Sequence, residues 1–165
     1  MQETRTNDMS SWAKASLFAA ALFGTGMILR AAIRRRSYSF RGKVVLITGG
    51  SRGLGLEMAR VFAREGADVS LIARGRRALE AAKAELEGMG ARVITMVCDI
   101  RERSQIEEAI HATVQQFGRI DVLVNNAGII QVGPIEKMTL DDFENAMATH
   151  FWGPLYATMA VIPLM

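Results

Sequence analysis

Three glycines at fixed spacing follow an apolar run and could hold a phosphate group. Residues 48–55 read Thr-Gly-Gly-Ser-Arg-Gly-Leu-Gly, directly after the apolar residues 44–47. Gly49 allows a sharp turn, Gly53 lets backbone N–H groups approach a ligand, and Gly55 lets the next helix pack close to the strand. The amino end of that helix presents unpaired N–H groups and a positive dipole to an anion. The motif therefore predicts a pyrophosphate site.

Two arginines lie where a dinucleotide would place the ribose of its adenosine. Arg74 ends the second predicted strand, about 20 residues past the glycines, and Arg52 lies inside the glycine motif. An acidic residue at the end of this strand would accept a ribose hydroxyl and select NAD, whereas guanidinium groups pair with phosphate oxygens. We therefore predict NADP rather than NAD as the cofactor. The alternative is that both arginines are solvated surface side chains.

The elements that must position these residues alternate along the chain. Near-continuous apolar strands are predicted over residues 44–48, 69–73, 93–97 and 120–124, and apolar residues at helical spacing lie between them. This alternation predicts an α/β fold with a doubly wound parallel sheet of the Rossmann type, in strand order 3-2-1-4 and ending after about four strands. A further helix is predicted to begin with Thr139 as N-cap and to be kinked at Pro154.

The amino-terminal segment carries a hydrophobic run followed by basic residues. Nineteen residues over 15–33 would span roughly 28 Å as a helix, close to the ~30 Å core of a bilayer. Residues 30–43 carry six basic side chains and no acidic one. We predict a polar terminus over 1–14, a single membrane-spanning helix over 15–33, a basic linker over 34–43 and a cytoplasmic domain over 44–165. The alternatives are a mitochondrial presequence or a hydrophobic helix packed on its own domain or on a partner.

Charge and cysteine content argue against several other classes of protein. The formal net charge is +3, but residues 1–43 contribute +6 and the remaining residues contribute −3, and no basic stripe is interleaved with aromatic residues. Nucleic-acid binding is therefore not expected. Cys98 is the single cysteine, and we interpret it as a buried core residue within an apolar strand. His111 and His150 are the only histidines, and no cluster at ligand spacing predicts a metal site.

Two further motifs follow the third and fourth predicted strands. They are Cys98-Asp99-Ile100 and, some distance on, Asn125-Asn126-Ala127-Gly128. With the glycine motif they resemble the short-chain dehydrogenase/reductase family, in which the Asp-Val/Ile pair contacts adenine and Asn-Asn-Ala-Gly steadies the sheet and lines the cofactor site. The resemblance covers residues 41–165. It implies cofactor-binding roles for Gly49, Ser51, Arg52, Gly53, Leu54, Gly55, Arg74, Asp99, Ile100, Asn125, Asn126, Ala127 and Gly128.

The helix after the fourth strand departs from the family pattern at one position. Family members carry a relay Asn in a sequence like Asn-x-x-Gly, and here the matching residues are His150-Phe151-Trp152-Gly153. A histidine donates, accepts and titrates near neutrality, so His150 could support a catalytic proton relay. The alternative is a packed, hydrogen-bonded residue of the helix.

The residues that would complete catalysis in this family do not occur in the 165 residues. The family uses a Ser and a Tyr-x-x-x-Lys motif, whereas Tyr38 and Tyr156 are the only tyrosines and neither is followed by Lys four positions later. The resemblance implies an NADP-dependent oxidoreductase that acts on a small carbonyl or alcohol, and the predicted anchor would place it at a membrane. A lipophilic substrate would suit that location, and a homo-oligomer is one alternative for its assembly. We predict that the 165 residues alone are inactive. The alternative is a truncated, non-catalytic module that binds NADP or another protein chain.

Overall fold

Four parallel strands form the centre of the structure, a computed structural model that describes residues 38–165. They are β1 (Val44–Thr48), β2 (Asp68–Ala73), β3 (Val93–Val97) and β4 (Val122–Val124). Their spatial order is β3-β2-β1-β4, which confirms the predicted order. Every residue of β1 and β2 is buried, because helices cover both faces of the sheet.

Five helices connect and flank the strands. They are α1 (Gly53–Arg64), α2 (Arg76–Gly88), α3 (Arg103–Phe117), α4 (Leu140–Met147) and α5 (Gly153–Val161). A π-helical turn, Ala148–Trp152, joins α4 to α5, and single 3₁₀ turns lie at Ile135–Lys137 and Ile162–Leu164. The alternation of strand and helix follows the periodicities of the sequence.

The two faces of the sheet bury two separate apolar clusters. Val45 and Ile47 point to one face, where they pack with residues of α1 and α2 such as Ala59 and Leu86. Leu46 lies between them in sequence and points to the other face, among residues of α3 and α5. This division follows from the alternation of side chains along a strand. It leaves the carboxyl ends of the strands free to form a site.

Pro154 directly follows a π-helical turn in a continuously helical backbone. The structure ends α4 at Met147, passes through the π-helical turn and starts α5 at Gly153, and the residues at both junctions keep right-handed helical conformations. The π turn provides room for the proline ring, which has no N–H to donate. The kink at Pro154 stays a prediction. The predicted N-cap is confirmed, since Thr139 and Asp142 form a reciprocal capping box.

Two other sequence predictions concern Cys98 and a membrane helix. Cys98 is buried as expected, but it lies just after β3 rather than within a strand. The predicted membrane helix over residues 15–33 lies outside the residues that the structure describes. Within residues 38–165, none of the helices has the length and apolar character needed to cross a bilayer.

Asp121 connects the starts of β1 and β4. Its carboxylate accepts hydrogen bonds from the backbone N–H of Val44 at 3.0 Å, from Nζ of Lys43 at 3.0 Å and from Nη2 of Arg119 at 2.5 Å. The side chain is 6% exposed. Burial opposes ionisation, but the hydrogen bonds from Val44, Lys43 and Arg119 outweigh it and hold the pKa of Asp121 below its usual value.

We expect Asp121→Asn to reduce the free energy of unfolding at pH 7 by about 1–3 kcal/mol, because charged hydrogen bonds are lost. A depressed carboxyl pKa stabilises the folded state above the unfolded-state pKa of about 3.9 and loses this effect as the pH falls through the folded-state pKa. The difference in unfolding midpoint between variant and parent should therefore shrink below about pH 4. Thermal unfolding between pH 3 and pH 8 measures it. The exposed Glu87→Gln is the control, and an equal loss there would contradict the assignment.

Candidate functional site

A cavity of about 700 Å³ opens at the carboxyl ends of the four strands. It brings together segments that follow β1, β2, β3 and β4, although these are far apart in sequence. Of the predicted site residues, those lining the cavity are Gly49, Ser51, Arg52, Gly53, Leu54, Arg74, Asp99, Ile100, Asn126, Ala127 and Gly128. Gly55 and Asn125 do not line it. Ligands of doubly wound sheets bind in this crevice.

The three glycines of the motif have three different geometries. Gly49 has φ +67°, and a Cβ there would lie 2.8 Å from the Cα of Ala127. A Cβ on Gly55 would lie 2.4 Å from the carbonyl oxygen of Gly49, so this position serves close packing of α1. Gly53 has φ +56°, and a Cβ there would meet nothing within 4 Å. Of the three, only Gly53 has open space where a Cβ would lie, so a pyrophosphate could approach the backbone there.

The amino end of α1 supplies the donors for such an anion. Arg52 is the N-cap residue in extended conformation, and it makes no side-chain cap bond. The first turn holds no acidic residue, and Gly53 and Leu54 line the cavity. Because the first N–H groups of a helix have no intrahelical partner, this end offers both unpaired donors and a positive dipole.

Thr48 and Asn126 lock the first and fourth strand ends together. The Thr48 hydroxyl donates to the carbonyl of Val124 at 3.3 Å and accepts from the N–H groups of Asn126 and Ala127 at 2.9 and 3.0 Å. Asn126 Nδ2 donates to the carbonyls of Thr48 and Gly49 at 3.0 and 3.2 Å. The glycine turn and the Asn-Asn-Ala-Gly segment thus form one hydrogen-bonded unit. Sequence analysis did not single out Thr48, although a hydroxyl at the end of a buried strand needs partners.

Asn125 points away from this unit. Its Nδ2 donates to the hydroxyl of Thr158 in α5 at 3.2 Å. The side chain therefore connects β4 to a helix, and it does not line the cavity. Of the two adjacent asparagines, only Asn126 borders the cavity directly.

The end of the cavity that is lined by Arg52, Arg74 and Asp99 is rich in arginine. Arg52 and Arg74 are both exposed, and neither forms an ion pair within residues 38–165. Asp99 faces the same end and is paired with Arg101, whose hydrogen bonds hold the pKa of Asp99 below its usual value despite partial burial. Arg101 also lines the cavity and was missed by sequence analysis, which had no signal for it beyond its place two residues after Asp99.

Neither a reactive thiol nor a metal cluster occurs in the described part of the chain. Cys98 borders the cavity but is 1% exposed. Burial, together with the negative charges of Asp99 and Glu108, raises the pKa of its thiol to about 11. The thiol is therefore neutral at physiological pH and not a nucleophile. Over residues 38–165, no three His, Cys, Asp or Glu side chains lie close enough to hold a metal ion.

His150 lies in the π-helical turn and contacts the segment after β4. Its Nε2 is 2.8 Å from the carbonyl oxygen of Ile129, and a Cβ on Gly128 would lie 2.9 Å from its Cε1. A bond to a carbonyl requires a donor, so Nε2 carries the proton and cannot accept the N–H of Ile129, 3.4 Å away. His150 is therefore hydrogen-bonded to the segment after β4, and it is exposed to solvent. A role in a proton relay stays a prediction.

Comparison with known proteins gives consistent matches over this region. The sequence profile of the family described as short chain dehydrogenase matches residues 43–165. The "uncharacterized oxidoreductase YxjF" of Bacillus subtilis (strain 168) is 38% identical over 125 residues, which cover 76% of this chain and 49% of the relative. The chain thus spans about half the length of this relative, and between 12% and 50% of the other curated relatives that it matches most strongly.

Two solved structures share the fold. NAD⁺-bound xylitol dehydrogenase is similar with a TM-score of 0.74 and 32% identity, over 78% of this chain and 50% of that one. A blue fluorescent protein from a metagenomic library, in complex with NADPH, has a TM-score of 0.73 and 36% identity, over 78% of this chain and 53% of that one. Both forms of the nicotinamide cofactor therefore occur among similar structures.

Proposed function

This chain belongs to the short-chain dehydrogenase family, and we propose that its cavity binds NADP(H) as the cofactor half of an oxidoreductase acting on a carbonyl/alcohol pair. The family binds nicotinamide dinucleotides, and the open space beside Gly53 at the uncapped end of α1 suits their pyrophosphate. Arg52 and Arg74 would hold the adenosine phosphate, and Asp99 the adenine. The segment Asn126 to Gly128 would border the nicotinamide ribose.

When bound, the nicotinamide exchanges a hydride with the substrate carbon. The residues of this chain bind and orient the cofactor, and they keep its site rigid through the bonds between Thr48 and Asn126. No step of proton transfer is assigned to them. Tyr156 is half-buried and stacked on Trp152 with ring centroids 6.0 Å apart, and no Lys follows it at the family spacing.

The single observation that supports NADP over NAD is the excess of positive charge at the adenosine end. Neither Arg52 nor Arg74 forms an ion pair in the described residues. Arg74 interacts with the charge of Asp99, but the hydrogen bonds of that carboxylate are made by Arg101. The first turn of α2, which begins two residues after Arg74, has no acidic residue. Positive side chains at the positive end of a helix dipole are unfavourable alone, so an anionic ligand would relieve them. A 2′-phosphate is such an anion.

Titration of the 165-residue chain with NADPH and NADH tests this function. We expect saturable binding of both, with NADPH at least about tenfold tighter, because charged hydrogen bonds to the 2′-phosphate are worth about 1.5–3 kcal/mol each. We also expect no reduction of carbonyl compounds by the chain alone. Absence of saturable NADPH binding, with the fold intact by circular dichroism, would contradict the proposed function. Measured turnover would contradict only the predicted inactivity.

We also propose that residues 15–33 anchor the protein in a membrane with the cofactor domain in the cytoplasm. The uncharged residues 15–29 and the basic residues over 30–43 support this proposal. An anchored domain would suit a lipophilic substrate. Alkaline extraction of membranes from cells that express the whole chain, compared with residues 39–165 alone, tests the anchor: release of the whole chain into the wash would rule it out.

A further inference from the structure

The outer edge of β3 has no partner strand within residues 38–165, since β3 pairs there with β2 alone. The carbonyl of Arg92 accepts from the N–H of Val69 at 2.9 Å, and the N–H of Cys98 donates to the carbonyl of Ala73 at 3.0 Å. Alternate residues of a strand in a parallel ladder bond to the same neighbour, so the even-numbered residues of β3 bond to β2. The N–H and C=O groups that point to the open edge belong to Val93, Thr95 and Val97.

This edge lacks the features that keep most edge strands from pairing. β3 reads Val-Ile-Thr-Met-Val, with neither a charged residue nor a proline, and it pairs with β2 residue by residue without a bulge. Val97 is 44% exposed. Lysine, proline and bulges are the usual protection of an exposed edge, and β-branched residues favour a further strand. β3 is therefore open to the addition of another strand.

One side of helix α2 borders the open edge. A cavity of about 240 Å³ lies between this helix and β3, and it is lined by Arg76, Leu79, Glu80, Thr95, Met96 and Val97. The opposite side of the helix faces α1, where Nη2 of Arg60 donates to Oε2 of Glu85 at 2.9 Å. The side of α2 that carries Arg76 and Glu80 therefore faces the open edge of β3.

The charges on this side of α2 alternate in sign. The α2 stripe, defined by residues three or four apart that share one side of the helix, consists of Arg76, Glu80, Lys83 and Glu87. Neither Arg76 nor Glu80 forms an ion pair within the described residues, and Nζ of Lys83 lies as far as 3.7 Å from Oε1 of Glu87. A row in the order positive, negative, positive, negative is complementary to its own reverse. Two stripes in opposite directions would place Arg76 opposite Glu87 of a second copy, and Glu80 would lie opposite Lys83 in the same way.

We propose that a second copy of this chain binds at this edge, through antiparallel pairing of β3 with β3 about a two-fold axis at Thr95. Thr95 exchanges two backbone hydrogen bonds with Thr95 of the second copy, and Val93 does the same with Val97. The two four-stranded sheets join into one, and the two α2 stripes lie side by side on one face. Strands of a sheet lie about 4.8 Å apart and packed helices about 8–10 Å apart, so helices over the two outer strands can meet.

This interface is separate from the cofactor site. The residues of β3 and of the α2 stripe do not line the cavity of about 700 Å³. Substitutions at the interface should therefore leave NADPH binding unchanged, and failure of either proposal can be recognised without the other.

Thr95→Pro tests the strand pairing, because the N–H that proline lacks points to the open edge and not to β2. The ladder with β2 should persist, since proline is tolerated on edge strands. Sedimentation equilibrium of the 165-residue chain in a nonionic detergent should show dimers for the parent and for Thr95→Val, which keeps the N–H and the branched shape. In Thr95→Pro the dissociation constant of the dimer should rise at least about tenfold, because two central hydrogen bonds are lost.

Charge reversal tests the α2 stripes without a change in β3. Arg76→Glu with Lys83→Glu makes the stripe wholly negative, whereas Glu80→Lys with Glu87→Lys makes it wholly positive. In each double variant alone the dissociation constant should rise at least about tenfold, because like charges then face each other. An equimolar mixture of the two double variants should form heterodimers, because every position again faces an opposite charge. A general loss of structure would not produce this rescue.

Glu57→Lys with Glu65→Lys is the matched control, since it makes the same charge change at exposed positions of α1 and its carboxyl end. It should leave the dimer intact. A monomeric parent would overturn the inference, and so would association that persists equally in Thr95→Pro and in both stripe variants, because the interface would then lie elsewhere. If circular dichroism shows that Thr95→Pro is unfolded, the mixing experiment decides, and absence of heterodimers overturns the inference.

Discussion

Alanine at position 49 should weaken NADPH binding by about 10- to 100-fold or more. Gly49 has φ +67°, and strain of a side chain in this conformation costs about 1–3 kcal/mol. Its Cβ would also lie 2.8 Å from the Cα of Ala127 and 3.0 Å from Nδ2 of Asn126. Relief of these contacts requires a shift of backbone, and the shift would separate the glycine turn from the segment after β4. Isothermal titration with NADPH measures the loss.

Two other glycines make this experiment selective. Gly88→Ala is the matched control, because a Cβ there meets nothing within 4 Å and alanine is favoured over glycine in a helix. It should leave NADPH binding unchanged. Gly53→Ala should weaken NADPH binding with a smaller loss of stability than Gly49→Ala, because its Cβ enters open space rather than backbone. Equal binding losses in all three variants would show that the effect is unrelated to the turn.

Replacement of Arg74 by glutamate should reverse the preference between the two coenzymes. The 2′-phosphate of NADPH would lose a charge-assisted hydrogen bond and meet a negative charge, which we expect to weaken its binding by about 100-fold. NADH should bind more tightly than in the parent, because a carboxylate accepts the ribose hydroxyls. The ratio of the two dissociation constants, measured by fluorescence titration at constant ionic strength, reports the switch.

Arg77→Glu is the matched control for this substitution. Arg77 is exposed, lies in the first turn of α2 and does not line the cavity. The same charge change there should interact favourably with the dipole of α2. It should change the ratio of the NADPH and NADH dissociation constants by less than about tenfold. An unchanged ratio in Arg74→Glu, in a chain that binds NADPH, would assign the preference to another residue, with Arg52 as the first alternative.

Sequence analysis succeeded for the sheet because local patterns carry the relevant physics. Strands buried on both faces are mostly apolar, so β1 and β2 were visible as near-continuous apolar runs, although β2 also buries Ser70. The glycine spacing predicted a turn and a close approach, and Gly49 and Gly55 have those geometries. The capping box at Thr139 was also visible, since its two partners lie three residues apart.

The sequence pattern was less informative about the helix around Pro154, where residues far apart in sequence decide the backbone geometry. Pro154 was expected to kink its helix, but the π-helical turn that directly precedes it was not predicted. Gly153 approaches the loop after β3 closely, since a Cβ there would lie 2.8 Å from the carbonyl oxygen of Ile100. That contact joins residues far apart in sequence, and no local periodicity records it.

The approximate positions of the strands, the phosphate turn and the family motifs were all determined by the sequence of this protein, because each depends on residue types at short spacing. Tertiary structure alone decided how those motifs meet. Thr48 bonds to residues after β4, Arg101 spans Asp99 and Asn145, and His150 reaches the carbonyl of Ile129. These bonds join segments that are far apart in sequence. The segments come within hydrogen-bond distance only after the helices have packed on both faces of the sheet. The glycine turn is therefore a property of the sequence, whereas the site built around it is a property of the fold.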